Sequence, residues 1–286
     1  MSEKNISGRD ISLQIKEELK QEVAELKTRG VIPGLTVILV GENPASQVYV
    51  RNKEKTANEA GFKSEVIRYP VSISEQELLR KIDELNEDDS VNGFFVQLPV
   101  PAHIDDKKII NAIKPDKDVD GFHPENMGKL VYGDTNGLYP ATPSGIMEML
   151  DRENIDVSAK NVVIVGRSNI VGKPMLHMML KKNATVTICH SKTQNLASVC
   201  SEADILVAAI GRAKMFTSEY VKDGAIVIDV GMNRDENDKL CGDVDYDSVI
   251  NKVSRITPVP RGVGPMTIAM LMKNTIKAAK IQNNIK

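Results

Sequence analysis

In the first third of the chain, short runs of branched and aromatic residues alternate with segments whose apolar positions recur every three or four residues. The runs GLTVILVG (34–41), KSEVIRYP (63–70) and VNGFFVQLPVP (91–101) predict strands. Between the first two, Asn43 and Pro44 form a helix start and Gly61 a stop, which predicts a helix from Pro44 to about Ala60. SEQELLRKIDELNED predicts a second helix ahead of the third run. Such alternation implies parallel strands joined by crossover helices.

A second series follows in the later half. NVVIVG (161–166), ATVTICH (184–190), DILVAAIG (204–211) and GAIVIDVG (224–231) are near-continuous apolar runs, as expected where both faces of a parallel sheet are covered. Helices from about Gly172 to Lys181 and near Leu196 to Glu202 complete a doubly wound module. The stretch from Ile109 to Pro143 is rich in Asp, Gly, Pro and Asn and reads as loop, site and linker together. GPMTIAMLMKNTIKAAKIQ reads as one long amphipathic helix from about Pro265. The expected class is therefore α/β with two domains, the first over 1–142 and a doubly wound, Rossmann-type domain over 143–264.

At 286 residues the chain has room for both domains. Lys and Arg number 37 against 39 Asp and Glu, a formal net charge of −2, so nothing suggests a general electrostatic grip on nucleic acid. Any phosphate recognition must be local. The opening MSEKNISGRDISLQIKEELK lacks the apolar run of a signal peptide and no later segment has the pattern of a membrane span, so a cytoplasmic protein without membrane attachment is expected. Cys189, Cys200 and Cys241 form no C-x-x-C pair, and His103, His123, His177 and His190 show no zinc-ligand spacing. Metal-free chemistry and buried, reduced thiols are the expectation.

VVIVGRSNIVGKPM (162–175) runs from strand through a glycine into a helix, as a nucleotide-binding turn does, yet it breaks G-x-G-x-x-G by placing Ser168 and Val171 where the second and third glycines belong. Gly166 would let the helix N-terminus approach a phosphate, with Gly172 and Pro174 near the helix start. Arg167 adds a guanidinium able to grip a phosphate with two hydrogen bonds. An NAD site places an acid at the end of the next strand to hold the ribose 2′-hydroxyl. Here that strand ends in CHSKT, and Ser191, Lys192 and Thr193 stand where the acid belongs, as a 2′-phosphate requires. NADP is the inferred cofactor; a tight strand-to-helix turn with no ligand is the alternative reading.

Tyr49 and Lys53 lie four apart on the helix predicted from Pro44 and share a face. Packing with a solvated tip gives the same spacing. Gln97 is a polar residue inside a buried strand, just before two prolines and at the strand end where α/β sheets bind ligands. It serves equally as a structural hydrogen-bonder. Asp120, in KDVDGF, is an acid in a glycine-bearing loop, where acids are often turn residues.

YVRNK, GFFVQLPVP, KDVDGF, ATPSG, VVIVGRSNIVGKPM, CHSKT, DVGMN, GDVDY and PVPRGVGPMTIAML occur in this order and together span nearly the whole chain. In this set the chain resembles the bifunctional methylenetetrahydrofolate dehydrogenase/methenyltetrahydrofolate cyclohydrolase enzymes of one-carbon metabolism, which serve purine biosynthesis. The resemblance implies a folate cleft between the two domains, NADP on the second, and a C-terminal helix (265–286) that completes the first. It implies that Lys53 is the catalytic lysine, that Tyr49 lines the folate ring, that Gln97 contacts the lysine and that Asp120 binds the pterin. Leu98, Gly264 and Pro265 follow as further substrate contacts. Gly166, Arg167, Ser168 and Ser191 fall where the family holds NADP, with the Met232 backbone closing over the nicotinamide side, and homodimers are usual.

One position departs from the pattern: the family commonly has P-V-P-G-G-V-G-P, and this chain places Arg261 where a glycine is usual. If that glycine is left-handed, Arg261 bears a steric cost. Two other readings remain at this point. A shikimate-dehydrogenase-like NADP oxidoreductase shares the domain plan but leaves GFFVQLPVP and PVPRGVGP unaccounted for, and a non-catalytic NADP-sensing module leaves Lys53, Gln97 and Asp120 unexplained.

Overall fold

The computed structural model describes residues 2–285. The chain forms two compact units, each built from two pieces: Gln14–Ala141 with the chain from Ile268 onward, and the chain up to Leu13 with Thr142–Thr267.

In chain order the elements are α1 (Gly8–Thr28), β1 (Gly34–Val40), α2 (Pro44–Glu59), β2 (Lys63–Tyr69), α3 (Glu75–Glu87), β3 (Gly93–Val96), α4 (Asp106–Ala112), α5 (Pro124–Tyr132) and α6 (Ala141–Arg152). There follow β4 (Asn161–Val165), α7 (Gly172–Lys181), β5 (Thr185–Cys189), α8 (Leu196–Cys200), β6 (Ile205–Ala208), β7 (Ile226–Asp229), β8 (Asn233–Arg234), β9 (Leu240–Cys241), α9 (Tyr246–Val249), β10 (Arg255–Ile256) and α10 (Val263–Gln282).

The unit holding Gln14–Ala141 is built on a parallel sheet in the order β2-β1-β3, with β1 buried at every residue. α2 starts where the sequence places it: the Asn43 side chain accepts from the Ser46 N–H and Pro44 takes the first turn. α3 opens on a reciprocal cap, in which Ser74 accepts from the Glu77 N–H and Glu77 accepts from the Ser74 N–H. Its Leu78, Ile82 and Leu85 pack with Ile38, Phe94 and Val96 in one core cluster. Side chains alternate along a strand, so Phe94 and Val96 face this core while Phe95 and Gln97 take the other face. The segment after α4 runs beside β3, with Asp118 paired parallel to Phe94.

The later residues of α10 are tied to the same unit. Asn274 Nδ2 donates to the Val119 and Tyr139 carbonyls at 2.8 Å each, and Lys280 pairs with Glu22. The stretch 109–143 is more regular than the loop expected from its composition, because it contains α5. Pro124 occupies the first turn, the His123 ring accepts from the Glu125 N–H, and Gly133 closes the helix at φ 77°. These caps are the same Pro, Gly and His that gave the segment its loop-like composition.

The unit holding Thr142–Thr267 carries a parallel sheet in the order β10-β7-β6-β4-β5. Because β4 continues to β5 on one side and β6 lies on its other side, the strand order reverses at β4, the place where doubly wound sheets bind ligands. β6 is buried throughout. β5 differs from the expected fully covered strand: it is the sheet edge, and Thr185 and Thr187 are exposed. The three cysteines are free and buried.

Candidate active site and cofactor site

Lys53 is 4% exposed, which is unusual for a lysine. Its Nζ lies 3.8 Å from the centre of the Phe95 ring and 5.2 Å from that of Tyr49, and it donates to Gln97 Oε1 at 3.3 Å. The helical spacing brings Tyr49 to the amine from its own helix, and the strand period brings Phe95 and Gln97 from beneath. Gln97 is oriented for this contact because its Nε2 donates to the Leu98 carbonyl at 2.8 Å, leaving the amide oxygen to the amine. The Gln97 N–H donates to Ile38 O at 2.8 Å, which holds the residue to the end of β1.

Burial lowers the Lys53 pKa from the ordinary lysine value of 10.5, and the negative charge of Asp120 pulls in the opposite direction. For the partly buried Asp120, burial raises the carboxyl pKa and Lys53 offsets it. Burial thus favours the neutral form of each group, and the charge of each favours the ionised form of the other.

Phe95 and Asp118 belong to this site although the sequence did not single them out. Phe95 reads as a core aromatic, but it sits two residues from Gln97 and so shares its face. Asp118 is 2% exposed and accepts from the His123 N–H at 2.7 Å, the Gly121 N–H at 3.2 Å and Asn126 Nδ2 at 3.1 Å. Burial pushes its carboxyl up to about 6 against those donors. It fixes the turn that carries Asp120. Gly121 follows at φ 75°, and a Cβ there would lie 2.3 Å from the Tyr139 carbonyl carbon.

In the other unit, a cavity of about 350 Å³ opens at the ends of β4, β5 and β6. Gly166 has φ 126°, and a Cβ on it would meet Ala209 O at 2.2 Å. The glycine that packs the helix against this turn is Gly172, where a Cβ would come within 2.0 Å of Gly166 O. The broken fingerprint is thus served by a glycine one residue later than the expected register. Ser168 Oγ accepts from the Val171 N–H at 3.2 Å and the Gly172 N–H at 3.4 Å, so it shapes the turn while keeping its own proton for a ligand.

Arg167, Ser168, Ser191 and Arg212 give the cavity polar walls, and Leu196 and Met215 give it an apolar one. Of the three residues expected at the end of β5, Ser191 lines the cavity, while Thr193 Oγ1 accepts from the His190 N–H at 2.9 Å within the turn. Arg212 was missed because the apolar run of β6 ends just before it. Met232 is 60% exposed and lies outside this cavity's lining; a Cβ on Gly264 would be 3.2 Å from its Cε. Pro265 is the third residue of α10. Arg261 has φ 84°, the left-handed conformation a glycine would tolerate, and its carbonyl accepts from the Arg9 N–H at 3.0 Å. Among the described residues, no group of His, Cys, Asp and Glu is arranged to hold a metal ion.

A parallel unit with a phosphate-suited switch point, in one chain with a unit carrying a buried amine, defines a dinucleotide-dependent two-domain α/β enzyme. Residues 6–120 match the catalytic domain of tetrahydrofolate dehydrogenase/cyclohydrolase, and residues 140–283 match its NAD(P)-binding domain. The chain belongs to this family. The bifunctional protein FolD of Streptococcus pneumoniae is 58% identical over 275 residues, covering 96% of each chain. Among solved structures, the bifunctional FolD methylenetetrahydrofolate dehydrogenase/cyclohydrolase of Campylobacter jejuni is 50% identical with a TM-score of 0.95, covering 96% of this chain and 98% of that one. The Trypanosoma brucei dehydrogenase-cyclohydrolase, solved with NADP cofactor and an inhibitor, is 38% identical with a TM-score of 0.92, covering 97% of each. Family membership removes the shikimate-dehydrogenase-like and cofactor-sensing alternatives.

Proposed function

We propose that this enzyme oxidises methylenetetrahydrofolate to methenyltetrahydrofolate with NADP and hydrolyses the product to formyltetrahydrofolate, with Lys53 moving the protons of the second step. The buried amine between Phe95 and Gln97 carries this reading.

The cofactor site fits a phosphorylated dinucleotide. Gly166 and Gly172 leave the backbone bare where a Cβ would collide, and Arg167, Ser191 and Arg212 offer donors with no acid among the residues lining the cavity. NADP held there supplies the hydride acceptor. The chain's part in oxidation is orientation, since lone-pair donation from a folate nitrogen expels the hydride without a protein base.

Hydrolysis needs proton transfer. Water adds its oxygen to the cationic methenyl carbon and loses a proton, leaving a hydroxyl; that hydroxyl then loses its proton as the formyl C=O forms, one carbon–nitrogen bond breaks and the leaving nitrogen gains a proton, so that one proton is released overall. Neutral Lys53 accepts the first proton and returns one to the nitrogen. A lysine at its ordinary pKa is a poor base at neutral pH, and desolvation is what makes the neutral form accessible. Gln97 orients the amine, Tyr49 and Leu98 line the ring site, and Asp120 holds the pterin. Gly264, Pro265 and the Met232 backbone are assigned to substrate and nicotinamide contacts as in the family. We assign folate binding to the unit of Lys53 and NADP binding to the other. The homodimer, the cytoplasmic location and the service to purine biosynthesis are part of the same proposal. Among the described residues no helix is long and apolar enough to cross a membrane.

The methenyl chromophore tests the reading. Its absorbance should grow from the methylene substrate with NADP, more slowly with NAD, and should decay without cofactor when methenyl substrate is supplied. Absence of both signals from folded enzyme would contradict the assignment.

A further inference from the structure

Two of the quoted motifs, DVGMN and GDVDY, contribute Asp229 and Asp243, and the chemistry above uses neither. Both are nearly solvent-free, at 4% and 0% exposure. They form a two-step relay of backbone contacts. Asp229, at the end of β7, accepts from the Gly231 and Asp243 N–H groups on Oδ1, each at 2.9 Å, and from the Val244 N–H on Oδ2 at 3.0 Å. This fixes the backbone of Asp243. The Asp243 carboxylate then reaches the loop after β6: Oδ2 accepts from the N–H groups of Ile210 at 2.7 Å and Gly211 at 3.0 Å, and Oδ1 from that of Arg212 at 2.8 Å. Asn233 Nδ2 fills the remaining place on Oδ1 at 2.9 Å.

Glycines make the approach possible. A Cβ on Gly242 would lie 1.8 Å from Asp229 Oδ2, and one on Gly231 would lie 2.4 Å from Asp243 Oδ1. Burial pushes Asp229 up to about 6, with the Asp243 charge adding to it against three N–H donors, so the pair is costly to hold together. The loop held this way supplies Ile210 and Arg212 to the wall of the cofactor cavity.

We propose that Asp243 is a positioning residue for the dinucleotide: by gripping three consecutive backbone N–H groups it sets the 210–212 loop, and with it Arg212, for NADP binding. This rests on the cofactor assignment above. A wild-type enzyme without NADP-dependent oxidation would sink that assignment, whereas the comparison below concerns variants of an active enzyme.

Asp243→Asn is the discriminating change. Each carboxylate oxygen receives two donors, so an amide nitrogen in place of Oδ2 would release the Ile210 and Gly211 N–H groups, and one in place of Oδ1 would release the Arg212 N–H and face the Asn233 amide. Volume is unchanged, and a role in filling space would survive. In full-length enzyme, KM and Kd for NADP should rise tenfold or more. The dehydrogenase kcat at saturating NADP should stay within threefold, and cyclohydrolase turnover of preformed methenyl substrate should be unchanged. An unchanged NADP KM, or equal loss of both activities, overturns the proposal. If the Asn variant does not fold, Gly211→Ala decides: Gly211 has φ 67° and its added methyl meets nothing within 4 Å, so the strain falls on the same loop without touching either carboxylate. The same rise in NADP KM with intact cyclohydrolase supports the proposal, and an unchanged KM defeats it.

Discussion

Burial and the Asp120 charge act on the Lys53 amine in opposite directions, and this gives Asp120 a measurable sign. Burial lowers the lysine pKa and the Asp120 charge raises it. If the neutral amine is the base, cyclohydrolase kcat climbs with pH along a limb whose midpoint is the lysine pKa, below the ordinary 10.5. Asp120→Asn removes the negative charge that raises the lysine pKa, so the limb should move to lower pH while folate KM increases. A limb that stays put or moves to higher pH would contradict the coupling. Arg261 is a second residue-scale case. Its φ of 84° costs a non-glycine residue about 1–2 kcal/mol, partly offset because glycine is freer in the unfolded chain. Arg261→Gly should therefore stabilise the protein by about 0.5–1 kcal/mol in urea unfolding. A loss of stability would mean that the arginine side chain repays its strain. This position was readable from the sequence, because a missing glycine in a patterned loop points to a conformation. Asp118, Asp229 and Asp243 were not, since an acid near a glycine looks like any turn residue; the N–H partners of Asp229 and Asp243 also lie mostly in other segments, whereas those of Asp118 are all within eight residues. Phe95 was hidden in another way: the residue type of a core strand residue and of a ring beneath an ammonium is the same.

At the scale of elements, the start of α3 isolates a local contribution. Ser74→Ala removes the side-chain half of the reciprocal cap, leaving the backbone N–H of residue 74 to Glu77, and should cost about 1 kcal/mol of stability. Because α3 packs through Leu78 and Ile82 on the face of β3 opposite Gln97, kcat for both activities should be unchanged. A drop in kcat would show that the helix start is coupled to the site. Periodicity and caps made α2, α3 and α7 legible to within a residue or two of their ends. α5 was not legible, because its caps and its Asp- and Gly-rich neighbours have the composition of a loop. The strand expected from ATVTICH is present, but whether a strand lies at the edge of a sheet depends on strand order, which one strand's pattern does not encode.

At the scale of the whole molecule, the chain divides its chemistry. The buried Lys53 amine and the residues around it come from the unit of Gln14–Ala141, and the phosphate-suited turn comes from the unit of Thr142–Thr267. On the proposed mechanism, hydride transfer asks the first of these units only to hold the folate, whereas hydrolysis asks it for a base. The two activities should therefore separate at one residue. Lys53→Met keeps a long apolar chain over Phe95 and removes the amine. With folate and NADP affinities confirmed by titration, this variant should lose cyclohydrolase turnover by a factor of at least about 100, within the range attributed to general acid–base catalysis. Its NADP-dependent dehydrogenase rate should remain within about tenfold of wild type. Equal loss of both activities with folate still bound would contradict the assignment of Lys53 as the base of the hydrolytic step.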